Sequence, residues 1–177
     1  MKRYSRAGAG LVFAGTVFAA GCGYHLGGQA DLIPKSVKTI AIPIFSNGTA
    51  YDKVASSLTA DVVREFHSRT KYTIVADPAG ADAVLNGSVV QLAVLGGITT
   101  DPVTGRTTSS QIILTLAFTL TDRHTGKPIY QRSGYEFRER YATATNLTQY
   151  FDESGPAMER VSRAAARAIV TSILEAF

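Results

Sequence analysis

From Gln111 to Thr121 the chain alternates without a fault. Ile112, Leu114, Leu116, Phe118 and Leu120 fall on one side, and Ile113, Thr115, Ala117, Thr119 and Thr121 on the other. A period of two is the signature of a β-strand, and an apolar row opposite a threonine-rich row marks a strand with one buried face. Such a strand needs a second layer over its apolar side. Its neighbours extend the sheet. Asp122-Arg-His-Thr-Gly126 reads as a hairpin turn, with Gly126 where a positive φ is needed. Ile129 to Tyr141 pairs back, placing Ile129, Tyr135 and Phe137 on one face and Arg132, Glu136, Arg138 and Arg140 on the other. Upstream, Ala83 to Val94 changes parity: Leu85 and Val89 share one side, Leu92 and Val94 the other. The switch is placed at Gly87, read as a bulge. Leu95 to Ser109 is a loop of Gly, Thr, Asp and Pro that also suits the tip of a long hairpin.

Two stretches carry a helical period instead. In Asp52 to Arg69, Leu58, Val62 and Phe66 stand four apart, and Asp52 is placed to cap the start. In Ser154 to Phe177, Met158, Val161, Ala165, Ile169, Ile173 and Ala176 trace an apolar stripe, with Arg160, Arg163 and Arg167 outside it. Ser154 suits the cap and Pro156 the first turn. Val37 to Phe45 is a further strand, with Ile40, Ile42 and Ile44 on one face and Pro43 at an edge or at the strand's end. Residues 70–76 form a brief strand or an extended link. The fold class that follows is α+β: a two-layer sandwich with two helices packed on one face of a roughly four-stranded mixed sheet.

The amino terminus has a different character. Lys2, Arg3 and Arg6 precede an apolar run from Leu11 to Ala20, then the small pair Ala20-Gly21 and Cys22, the only cysteine. This is the anatomy of a signal peptide, and a small residue followed by Cys reads as a lipoprotein signal in which the Cys22 thiol accepts a diacylglyceryl group. The run is too short to cross a bilayer as a helix. Several acyl chains together anchor a protein stably where one does not. The expected division is a signal peptide over 1–21, a lipidated tether over 22–36 and a single domain over 37–177. Gly23 follows Cys22 where an Asp, in enterobacteria-like sorting, would disfavour the outer membrane.

The charge total supports this division and removes one function class. Of 18 basic and 14 acidic residues, three basic ones lie in the signal, which leaves 15 against 14. A near-neutral domain gives no bulk attraction to nucleic acid. With Cys22 lipidated, no thiol remains for a disulfide or a thiolate metal site. His25, His67 and His124 lack metal-ligand spacing, and Asp101, Asp122 and Glu136 are isolated carboxylates that read as turn formers or surface charges. No nucleophile-base pair or phosphate-cradling loop occurs, so neither catalysis nor a cofactor is expected.

Cys22-Gly-Tyr-His-Leu26 directly after the signal, Ile42-Pro-Ile-Phe45 followed by Asn47, and Ala81-Asp82 leading into Leu85-Asn86-Gly87 resemble the LPS-assembly lipoproteins of the LptE family. The resemblance runs through the whole chain after the signal. It implies two helices against a four-stranded sheet, and a lipoprotein of the outer membrane that plugs the lumen of the LptD β-barrel. Such a protein helps that barrel fold and aids placement of lipopolysaccharide in the outer leaflet. It further implies direct contact with lipopolysaccharide, whose phosphates arginine and lysine meet with charge-assisted bonds. The candidates for that contact are our own choice from the loops: Arg106 at one sheet end, and Arg123 with Lys127 in the hairpin turn. The plainer reading of each is a solvated turn charge. A second reading is a lipid-anchored periplasmic adaptor, because the strand-helix order and the Ala81–Gly87 pattern are also similar to the TolB amino-terminal domain and to lipoproteins that activate peptidoglycan synthases. Those activators usually carry a long tether, whereas here the first strand begins soon after Cys22.

Overall fold

The computed structural model describes residues 33–103, 105, 107–142 and 154–175. Its elements run β1 (Thr39–Ala41), β2 (Ser46–Asn47), α1 (Val54–Arg69), β3 (Thr73–Val75), β4 (Ala83–Thr100), β5 (Thr107–Asp122), β6 (Pro128–Ala142) and α2 (Ser154–Leu174). One sheet contains all six strands in the order β3-β1-β4-β5-β6, with β2 beside β4. β1 is parallel to both β3 and β4, while β4, β5 and β6 form an antiparallel meander. The fold class is the expected one. The sheet exceeds four strands because β2 and β3, only two and three residues long, join it as well.

The apolar row of β5 is buried throughout, from Ile112 to Leu120. Leu58, Val62 and Phe66 of α1 and Val161, Ala165, Ile169 and Ile173 of α2 close over it. The helices lie side by side in the same direction: Asp61 meets Ser162 near their middles, and Arg69 meets Thr171 and Glu175 at their carboxyl ends. Small buried residues on α2, namely Ala157, Ser162, Ala165 and Ala166, permit the close approach. Thr70 ends α1 by donating both its N–H and its hydroxyl to the Phe66 carbonyl.

Four local expectations change. The first strand is only Thr39–Ala41. The Ile42 N–H still reaches the Val75 carbonyl at 2.8 Å, but Pro43 has no donor to continue the ladder, and Ile44 turns outward, 75% exposed. The residue before α1 is Lys53, which makes no side-chain cap bond, so Asp52 does not cap the helix. The bulge in β4 lies at Val90, where the register jumps from Val89↔Leu116 to Gln91↔Thr115. That extra residue produces the parity switch. Gly87 instead makes room for a buried phenyl group: a Cβ there would fall 2.5 Å from the Phe45 ring, which only bare backbone can accommodate. In β6 a second irregularity falls between Arg132 and Tyr135, with Gly134 at φ 66°. It advances the pleat, so Arg132 shares the helix-facing side with Tyr130 and Tyr135 and leaves the polar face on which Glu136, Arg138 and Arg140 remain.

Residues 95–109 take the hairpin form: strand pairing continues through Thr99↔Ser109 and Thr100↔Thr107. At about 3.3 Å per residue, β4 and β5 are on the order of 55 Å long, whereas α2 at 1.5 Å per residue is about 30 Å. The sheet therefore outruns its helical cover. Val103, at the tip beyond it, is 91% exposed.

Candidate functional site

Three surfaces carry the polar chemistry. The first is the β5–β6 turn. Asp122 is buried, and its carboxylate accepts the N–H groups of His124 (2.7 Å) and Thr125 (3.1 Å), while Gly126 takes φ 67°. Arg123 donates its backbone N–H to the Asp82 carbonyl at 2.9 Å. Its guanidinium donates to the carbonyls of Pro78 and Ala81, so it ties the turn to the segment before β4. Lys127 stands exposed at the end of the turn. Beneath it, Asp82 accepts the N–H groups of Lys38 (2.8 Å) and Thr39 (2.9 Å), with the His124 ring 3.5 Å away. Those two backbone donors, more than the imidazole, hold the Asp82 carboxyl below the usual carboxylate range.

The second surface is the sheet face opposite the two helices, which carries none among the described residues. The β5–β6 register sets Thr115 opposite Glu136, Ile113 opposite Arg138 and Gln111 opposite Arg140. Glu136 and Arg138 pair, and Arg140 is exposed. On the helix side, the displaced Arg132 lies 4.4 Å above the Tyr135 ring, and its contact with the Tyr130 hydroxyl raises its pKa further.

The third surface is a hollow of about 740 Å³ at the sheet end where the chain enters. Lys38 before β1, Lys71 before β3 and Arg69 at the end of α1 line it, together with Thr70 and Thr73. Reading the sequence alone does not find it. Lys38 and Lys71 lie 33 positions apart and meet only because β1 and β3 pair in parallel with Thr39 beside Thr73. Two short β-branched strands, each preceded by a lysine, are the available signal.

Of the residues singled out from sequence, the structure brings Arg123 and Lys127 together. They lie at the opposite end of β5 from Thr107, about 50 Å along the strand. Arg106 and Cys22 lie outside the described residues.

These features define a class: a two-layer α+β domain whose mixed sheet has, among the described residues, two parallel helices on one face and none on the other. The family model described as LptE, lipopolysaccharide-assembly, matches residues 37–173, and the chain belongs to that family. Among solved structures it is similar to the rare lipoprotein B from Shewanella oneidensis, at TM-score 0.50 and 16% identity, covering 77% of this chain and 94% of that one. It is also similar to protein XCC0632 from Xanthomonas campestris, at TM-score 0.52 and 12% identity, covering 80% and 86%. At such identities the likeness shows the fold alone. No curated protein matches the chain.

Proposed function

We propose that this chain is an outer-membrane lipoprotein, cleaved after Gly21 and anchored through Cys22, whose residues 37–177 fill the lumen of an LptD-like β-barrel. There it helps the barrel assemble and assists passage of lipopolysaccharide to the outer leaflet, with no catalytic step of its own. The observation that carries this reading is the family match over residues 37–173. The helix-free sheet face supports it. The interior of a large barrel is polar, and Gln111, Thr115, Glu136, Arg138 and Arg140 offer a polar face of matching kind. Within this reading Arg106, Arg123 and Lys127 meet lipopolysaccharide phosphates. Lys127 has the freest head group of the described pair, because Arg123 already serves two carbonyls.

The test is affinity purification of tagged protein from outer membranes in mild detergent. A stoichiometric large β-barrel in the eluate is the expected result, with loss of salt-resistant membrane anchoring in Cys22→Ala. A soluble synthase or other periplasmic partner, without a barrel, would replace this reading by the adaptor one.

A further inference from the structure

The lysines of the domain are unevenly placed. After the signal there are five, at positions 35, 38, 53, 71 and 127. Lys35 and Lys38 lead into β1, Lys71 leads into β3, and Lys127 closes the β5–β6 turn. Those starts share one end of the sheet: β1 and β3 begin side by side, and Asp82 at the start of β4 joins Lys38 to the turn. Only Lys53, before α1, lies elsewhere. The acidic groups at this end are held close to the fold. Asp82 and Asp122 receive backbone N–H groups, Asp77 receives that of Ala79, and Glu65 and Glu175 each stand 3.7 Å from Arg69. No ion pair among the described residues engages the ammonium groups of Lys38 or Lys71, and both are exposed.

We infer that the hollow lined by Lys38, Arg69 and Lys71 receives the phosphates of anionic glycerophospholipids in the bilayer that anchors the chain. Two ammonium groups, in no ion pair among the described residues, and the Thr73 hydroxyl around one hollow match a phosphodiester in charge and in donors, beside an Arg69 guanidinium already shared with Thr171, Glu65 and Glu175. The place of chain entry selects the bilayer as the source. Ten residues separate Cys22 from Ile33, so a lipid-bearing Cys22 lies within about 40 Å of this end at full extension. The inference rests on the lipid-anchor reading only for proximity. Lipid and lysines would form a two-part attachment, in which basic side chains supplement acyl chains and hold this end of the domain, at the mouth of the barrel, against the bilayer.

The experiment uses two forms of the full chain. The lipidated form, in nanodiscs of phosphatidylethanolamine with either phosphatidylglycerol or phosphatidylcholine, is pulse-acetylated and its lysines are read by mass spectrometry. Lys38 and Lys71 are expected to be protected several-fold in the anionic discs only, with Lys53 unchanged and the protection lost in 0.5 M salt, taken as roughly the ionic strength that collapses surface electrostatics. The Cys22→Ala form is co-sedimented with the same lipids as vesicles. Binding to the anionic vesicles is expected to fall on the order of 25-fold in Lys38→Gln/Lys71→Gln, about five-fold for each lysine near a charged surface. Equal protection in both discs, no protection in either, or binding by the double variant equal to its parent would overturn the inference. So would a dependence on these lysines seen with lipid A and not with phosphatidylglycerol. Failure of the native chain to stay in any disc would instead refute the lipid anchor, and the vesicle assay would still judge the hollow.

Discussion

Replacing Gly87 by Ala isolates one packing contact. Gly87 has no positive φ, so an alanine there meets no backbone strain. Its Cβ would meet three atoms of the Phe45 ring at 2.5–2.6 Å, where carbon atoms settle at about 3.5–4.0 Å. The ring must retreat by about 1 Å or more. It cannot carry its backbone along, because the Phe45 N–H is bonded to Thr59 Oγ1 at 3.0 Å and Ser46 is paired with Ser88. Overpacking of this kind costs about 1–3 kcal/mol, and complete ejection of a buried phenylalanine about 3–5. We expect about 3 kcal/mol for Gly87→Ala, a fall on the order of 1.5 M in the urea midpoint followed by far-UV circular dichroism. In a Phe45→Ala background the same change is expected to cost nothing, or to stabilise by about 0.5 kcal/mol, since alanine orders more cheaply than glycine. A loss below about 0.5 kcal/mol in the parent, or an equal loss in both backgrounds, would show that the ring does not depend on the bare backbone.

Asp61→Ala strips the Ser162 hydroxyl of its 2.8 Å acceptor inside the helix pair. It should cost about 1–3 kcal/mol, with much of that recovered in Asp61→Ala/Ser162→Ala by the same denaturation assay. Gly134→Ala forces a side chain onto φ 66° and should cost about 1–2 kcal/mol, read as a lowered melting temperature. The native Asp82 carboxyl has a depressed pKa, so the stability it contributes is present above the ordinary value of about 3.9. It is lost as pH falls through that value toward the native one. Asp82→Asn should therefore flatten the acid limb of a midpoint-against-pH curve below about pH 4 and leave its slope near pH 7 unchanged.

Much of the architecture could be read locally. The unbroken alternation of 111–121 is β5, and the four-residue spacing of Leu58, Val62 and Phe66 is the buried face of α1. What escaped depends on partners distant in the chain. A parity change in β4 is visible in Leu85, Val89 and Leu92, but its position is decided by what β5 sets opposite, and Val90 absorbs the extra residue. Counting along β6 puts Arg132 on the polar face, and counting fails across Gly134. Ile44 continues a period that Pro43 has already ended. The site is less legible than the fold. Arg123 and Lys127 could be placed in one turn because the turn is local. The carbonyls that engage Arg123 come from Pro78 and Ala81, and the Lys38–Lys71 hollow exists only through parallel pairing of two three-residue strands.

The placing of α2 bears on how the chain is made. Every described strand precedes it, yet it covers the β5–β6 side of the sheet, where Ile169 and Ile173 are buried with the β5 row. A chain emerging from its amino end can form the hairpins and α1, but the side of β5 lined by Ile112, Leu114 and Leu116 stays incompletely covered until the segment from Ser154 has been released. Such an intermediate is a sheet with an open apolar side, the species most prone to self-association. Vectorial folding of the described domain therefore waits on α2, and a nascent chain halted before Ser154 would need a holding chaperone to remain dispersed.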